Sequence, residues 1–533
     1  YAFGAANEWM ADIAAIDNIR MYGNKAVAAQ FAWTGNTALL DASCSGPAPA
    51  GGSSSVCIRP TGTEIQTFTE FDITATATLA NGCNISKTLR VVNNNKVWAA
   101  ADADDWTSTR WVPAAEQPDL SKCVLIKKAV RIPAEAHAEA KTVQVDEGGS
   151  LKIEAGASLT LQDALINDAG SAHVTVESDG NLLQINDLAV NSGSITVKRN
   201  ALMKRLDYTY WGSPVQNQNL QAFSPQTVSN RFYRYNENTD LFEAADPAQS
   251  FSAGKGYAIR APNNFPADQL TCQTFPGVFR GVPHNGIQHY PLQRTANGFN
   301  LTANPYPSGI DLEQMKNLNP GRIYLLAYFW SNVNVNPAMQ GSDYPNGGYV
   351  SNYAVLNGTA GVPATYSVTP QNPNNGDLLI SKTPNQYIKT GQGFIVKSLV
   401  NGEDLVFNNS VRTANPASVF FNSKTHQETD RFWIQLTTPL DVVTTAAIGY
   451  KQGATNQLEL DYDAPLMGLG SDAVFTSMDG KRLAIQGRQY PLNVSDVVLL
   501  GTHHHVDGNY TLSMPVAEGI FANGQAVYLK DLQ

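Results

Sequence analysis

The chain has 533 residues, 43% of them hydrophobic and only 15% charged, and 36 basic against 46 acidic side chains leave a net charge of −10. Such an acidic, lysine-poor chain cannot neutralise a phosphate backbone and is repelled by anionic lipid, which excludes nucleic acid and the membrane surface as principal partners. No apolar run reaches the ~20 residues of a membrane-spanning helix.

Tyr1 to Ala14 lacks the basic start and continuous apolar stretch of a signal peptide, so the expectation is a processed chain that is part of a longer polypeptide. The length allows three to five domains of roughly 100–200 residues each. Short runs rich in Val, Ile, Thr, Tyr and Phe recur, and 42 Gly and 28 Pro are spread between them as turn punctuation. Alternating strand–helix units are absent, so the predicted class is all-β and multidomain.

Residues 1–24 read as the closing strand of an upstream domain. Ala15 to Tyr22 alternates apolar and polar. The segment resembles the "IDNI" strand of lectin-like jelly rolls of the MAM type, with a helix over Glu8–Ile19 as the rival. Residues 25–96 read as an Ig-like module. Phe31 to Gly35 and Phe71 to Thr78 are strands, and Asn81-Gly82 is a hairpin dipeptide. This stretch resembles the PKD and Ig-like repeats of bacterial surface proteins. Of the five cysteines, Cys44, Cys57, Cys83, Cys123 and Cys272, none forms a CxxC pair, which argues against zinc. An oxidising compartment would allow Cys57–Cys83 or Cys44–Cys57. Buried reduced thiols are the alternative.

Residues 97–205 change character. Strands at Thr142, Ser150, Ser158, His173, Asn181 and Ser194 follow one another too closely for separate domains, as in a β-solenoid whose turns bury their apolar rows by stacking. Residues 206–297 and 298–427 read as two copies of one β-sandwich unit. Tyr208 to Val215, Arg231 to Tyr235 and Gly254 to Ile259 are matched by Phe299 to Pro307, Ile323 to Trp330 and Gly391 to Val396. A short helix is expected over Asp311–Asn317. The second copy carries an insertion over about 332–375, the kind of loop that often holds function. Residues 428–533 form a terminal β-sandwich.

From about Trp98 onward, "YWGSPV", "NPYPSGID", "GKGYAI" with "GQGFIV", "DRFWIQL…IGY", "LAIQGR" and "VYLKD" occur in order. This resembles the C-terminal half of large surface and adhesin-like proteins exported by the type IX secretion system of gliding bacteria. The resemblance implies an extracellular, cell-surface location more firmly than an activity. In that family "VYLKD" is usually followed by further strands of the same sandwich, so the terminal domain is expected to expose an open sheet edge. The missing strands would come from a downstream segment or from another molecule by strand addition.

No GxSxG, HExxH or P-loop is present. His503-His504-His505 would put at most two rings on one strand face. Asp102, Asp104 and Asp105 form an acidic loop able to offer carboxylates to calcium. Read as a strand, "LELDYD" would align Glu459, Asp461 and Asp463 on one face, a second calcium candidate; no other cofactor is implied. The solenoid acids do not recur at matching rung positions, as a glycoside-cleaving pair would need. Tyr208, Tyr210, Trp211, Phe232, Tyr233 and Tyr235 read as core aromatics. Trp330, Tyr344 and Tyr349, in and beside the insertion, are the glycan-stacking candidates. The expected function is non-catalytic surface structure or adhesion. The alternatives are a filament or sheath subunit joined by strand exchange, and a glycan-binding or carbohydrate-active protein. Expected partners are surface glycans or other copies of the chain.

Overall fold

A computed structural model describes residues 30–35, 40–41, 57–58, 70–79, 82–92, 95–98, 104–112, 116–267, 271–331, 353–367, 383–414, 429–468 and 472–531. The expected closing strand within 1–24 lies outside them, as do Asp102, Tyr344 and Tyr349. The chain divides into two compact units, 1–174 and 175–533. Strands dominate, and the boundary falls inside the fourth turn of a β-solenoid of about four turns.

In the first unit, β1 (Gln30–Gly35), β2 (Glu70–Thr78) and β3 (Asn84–Val92) form an antiparallel sheet in that order. The β2–β3 turn closes through the Leu79 amide on the Cys83 carbonyl (2.8 Å) and the Gly82 amide on the Leu79 carbonyl (2.9 Å), with Gly82 at φ +79°. Ala75 and Ala77 are buried. Thr74, Thr76 and Thr78 face the other way and bond across to Thr88, Ser86 and Asn84 at 2.7, 2.8 and 2.8 Å. The pair Cys57–Ile58 bridges to Leu40–Asp41, but the Cys57 side chain, and with it the Cys57–Cys83 pairing, lies outside the described residues.

The solenoid begins with β4 (Asn95–Trp98) and β5 (Asp104–Asp105). Each full turn then has three strands: β6 (Cys123–Ile126), β7 (Ala129–Ile132) and β8 (His137–Ala140), followed by β9 (Thr142–Val145), β10 (Ser150–Ile153) and β11 (Ser158–Leu161). The fourth has β12 (Leu165–Asn167), β13 (Val174–Val176) and β14 (Asn181–Gln184). Pairing is parallel: Val124, Val143 and Leu165 stack in one row, Val130 and Leu151 in a second, Ala138 and Leu159 in a third, all buried. A stacked row has no sequence-local partner, which is why each short strand is stable only on its neighbours. At the first turn Trp98, Trp106 and Trp111 pack edge to face, with Trp111 5.0 Å from Trp98 and 4.7 Å from Trp106. The Trp98 indole donates to the Ala129 carbonyl (2.9 Å) and the Trp111 indole to the Trp106 carbonyl (2.8 Å).

In the second unit, β15 (Ile195–Met203) leads into the duplicated region. The first copy has β16 (Tyr208–Trp211), α1 (Leu220–Phe223), β17 (Phe232–Asn236), β18 (Leu241–Ala244) and β19 (Tyr257–Arg260), in sheet order β16-β19-β17-β18. Next come β20 (Gln273–Gly281), which pairs antiparallel along the whole of β15, and β21 (Gln288–Pro291). The second copy has β22 (Phe299–Ala303), α2 (Leu312–Leu318), β23 (Ile323–Trp330), β24 (Tyr353–Asn357), β25 (Gly361–Val362) and, further on, β27 (Gly393–Ser398). Its order, β22-β27-β23-β24-β25, repeats the first and adds β25 at the edge. The expected helix is present, capped by Asp311, whose carboxylate accepts from the amides of Glu313 and Gln314.

The two copies interlock. The Gly212 amide bonds to the Gly391 carbonyl (3.0 Å), and reciprocally the Ala303 amide bonds to the Gly254 carbonyl (3.0 Å). Each first strand thus runs into the other copy's Gly-x-Gly turn. A Cβ on Gly393 would lie 2.7 Å from the Tyr210 Cβ, and one on Gly256 2.7 Å from the Leu301 Cγ, so both glycines are required by close approach. Further stitching comes from β21 pairing with β28 (Asp404–Phe407).

The terminal sheet has β29 (Thr429–Thr437), β30 (Val442–Lys451), β31 (Ala473–Met478), β32 (Lys481–Gln489), β33 (Leu499–His503) and β34 (Thr511–Glu518), in order β33-β31-β32-β30-β29-β34. The strand β26 (Tyr366–Ser367), from the second copy's stretch, pairs with β30. Trp433, Ala447 and Ile485 share one core with Tyr328, Val355 and Ile395 of the second copy and Tyr210 of the first. The stretches expected as three successive domains therefore share a continuous interior. Ala526 to Asp531, read from sequence as part of the β-domain, belongs to no strand and is exposed, Tyr528 by 88%.

Candidate functional site

The two carboxylate clusters are not held together as ligand sets. Residues 458–463 do not form the expected strand; they lie in and beside a turn, so the period-two alignment does not apply. Glu459 accepts from the Thr455 amide (2.7 Å) and hydroxyl (2.9 Å). Asp461 accepts from the Leu325 amide (2.6 Å) and faces Lys316 at 3.6 Å. Asp463 accepts from the amides of Glu459 (2.7 Å) and Gly487 (2.9 Å). Burial pushes the Asp463 carboxyl up to about 6, against the pull of those two amides. The three side chains clasp three different backbone segments. In the acidic loop, Asp104 accepts from the Asp105 amide (2.8 Å) and pairs with Arg110 (3.1 Å), while Asp105 pairs with Arg131. Among the described residues, no group of three His, Cys, Asp or Glu side chains is placed to hold a metal ion.

Trp330 ends β23 and lies at the seam between the copies, half-buried, instead of on a loop. Its ring stacks on Tyr210 (6.1 Å) and meets Tyr353 edge-on (5.2 Å). The Tyr210 and Tyr353 hydroxyls share a 2.8 Å hydrogen bond. Desolvation raises both phenols, Tyr353 to about 12. Tyr210, Trp211, Phe232 and Tyr235 are buried as expected of core aromatics, whereas Tyr208 and Tyr233 keep part of their rings in solvent. The three histidines are exposed: His504 meets the Thr502 hydroxyl (2.9 Å) and packs on Tyr510, and the His505 amide donates to Asp472 (3.0 Å).

Two further features lie outside the residues singled out in the sequence. Arg412 is buried, with its guanidinium over the Tyr306 ring (4.8 Å). It donates to Ser308 Oγ (3.2 Å), Asn285 Oδ1 (3.1 Å), Asn409 Oδ1 (3.0 Å) and the Leu182 carbonyl, tying β14 to the second copy. Desolvation lowers its pKa to about 10. Nothing local in "VRTANP" marks a buried arginine, because its partners come from residues 182, 285, 308 and 409. The second feature is the edge strand β34, whose Leu512, Met514 and Val516 are exposed, with Leu499 on the opposite edge strand β33 also exposed.

A family model described as Domain of unknown function (DUF8693) matches residues 97–533, and the chain belongs to that family. No curated protein and no solved structure matches the chain.

Proposed function

We propose that this member of the DUF8693 family is a non-catalytic structural or adhesive protein of the cell surface, exported by the type IX route. One observation carries the reading: apolar rows fill solenoid and sandwich interiors, and the conspicuous ionisable side chains clasp backbone instead of converging on a cleft. The ordered motifs from "YWGSPV" to "VYLKD" support the location. The test is antibody labelling and protease shaving of intact cells of the source organism. Surface labelling that disappears on shaving is expected; labelling only after lysis would refute the location. The purified chain, coated on beads, should retain them on cells or extracellular matrix without turnover of a glycan substrate.

A second reading, a filament subunit joined by strand exchange, is favoured by β34. The segment Thr511 to Ala517 carries no charge, the usual device against edge-to-edge pairing, although Pro515 interrupts its donors. Light scattering over a concentration series tests it: growth of mass that Val516→Lys abolishes supports exchange, and a constant monomer mass removes it.

A further inference from the structure

We propose that the Arg205–Arg260 end of the first-copy sheet binds an acidic polysaccharide, a uronate-bearing chain, with Arg205 and Arg260 on its carboxylates and the solvent-facing parts of the Tyr208 and Tyr233 rings, whose other parts pack on the core, against its sugar rings. This deepens the adhesive reading and rests on it for its biological setting.

The register puts the parts on one face. Tyr208 of β16 stands opposite Arg260 of β19, and Tyr233 of β17 opposite Ala258, two residues along β19 and therefore on the same side. The Tyr208 and Tyr233 rings meet edge to face at 5.7 Å and are half-buried. Arg231, next on that face of the β17 approach, donates to the Tyr233 hydroxyl (3.2 Å). At the same end, Arg205 and Arg260 both donate to one neutral acceptor, Asn263 Oδ1, at 3.2 and 3.1 Å. Two guanidiniums are thus gathered on a single amide oxygen, and among the described residues neither has a carboxylate at ion-pair distance. The Arg260 Nε is buried with no acceptor, and the neighbouring Lys204 ammonium is buried with no hydrogen-bond partner. The acid of this turn, Asp207, accepts from the Lys204 amide (2.8 Å) and is the counter-charge of the Lys204 ammonium, which leaves Arg205 and Arg260 as the uncompensated pair.

This is an excess of positive charge on a chain whose net charge is −10. The two guanidiniums on Asn263, with no carboxylate of their own at ion-pair distance, are complementary to an anion. A guanidinium fork matches a carboxylate in two parallel hydrogen bonds, and an aromatic face offers apolar area to a sugar ring. The net charge of −10 opposes a long phosphate chain and a long polyuronate alike, so single-stranded DNA is the probe that separates carboxylate and sugar recognition from attraction to any polyanion.

The experiment is calorimetry with the whole chain and three probes: an oligogalacturonate, a neutral dextran of matched length and single-stranded DNA. Oligogalacturonate should bind, the other two at least tenfold more weakly. Arg205→Gln, whose side chain is partly exposed, should weaken binding at least fivefold with an unchanged thermal transition. Tyr208→Leu should weaken binding to a similar extent, and Arg260→Lys should restore part of what Arg260→Gln loses. Equal binding of DNA or dextran, an Arg205→Gln affinity within twofold of the parent, or no oligogalacturonate binding would each overturn the proposal. Surface labelling without oligogalacturonate binding sinks this site alone; binding by a chain found only inside cells sinks the adhesive reading alone.

Discussion

Replacing Arg412 by methionine keeps the volume of the side chain and removes its charge and donors. The guanidinium serves Ser308, Asn285, Asn409 and the Leu182 carbonyl. At about 1.5 kcal/mol for each bond from a charged donor, the loss is about 6 kcal/mol. Against it stands the relief of unburying a cation, since a pKa lowered from 12.5 to about 10 corresponds to about 3 kcal/mol. The net expectation is a local destabilisation of about 3 kcal/mol, roughly a hundredfold in an opening equilibrium. The amides that report it are Leu182, bonded to the Pro307 carbonyl, and Gly309, bonded to Asn181 Oδ1. Hydrogen exchange followed by mass spectrometry should show both losing protection, with the terminal sheet unaffected. Unchanged exchange at Leu182 and Gly309 in a folded Arg412→Met protein would refute the claim that this cation fastens β14 to the second copy.

Three further outcomes are expected. Burial raises the Asp207 carboxyl to about 6; because the folded value exceeds the unfolded one, its contribution is present at pH 3 and is lost as pH rises through 6, a cost of about 3 kcal/mol. Asp207→Asn should flatten that decline in urea midpoints measured between pH 4 and 7.5. Trp111→Ala opens the cluster at the first solenoid turn and should cost about 3–5 kcal/mol, read as early urea unfolding followed by tryptophan fluorescence. Gly393→Val forces Tyr210 away from the seam and should lower the melting temperature of the second unit by several degrees, whereas Gly480→Val, where a Cβ meets nothing, should cost only its backbone strain.

The strand periods of "TVQV", "SLKI" and "SLTL" were legible because a solenoid buries one row of each strand, and alternation survives in the sequence. The duplication was legible for a related reason: both copies need glycine at the same close approach. The three strands per turn were not, since corners of a solenoid carry no marker beyond ordinary turn residues. Nor was the interlock, which pairs residues far apart in the chain. "LELDYD" misled because its alternation of acids arises from three separate capping tasks around Tyr462, a coincidence of spacing that period-two reading cannot distinguish from a strand. Trp330 was placed correctly at the end of its strand but assigned to solvent, because its covers, Tyr210 and Tyr353, lie outside its own segment.

The reciprocal threading of the two Gly-x-Gly turns has a consequence for how the polypeptide matures. Trp211 makes its bridge to Gln392 only after about 180 intervening residues are available, so the first copy cannot reach its final form until Gln392 has emerged. Both halves must ripen together, late, and a polypeptide halted midway through the region would be left with neither.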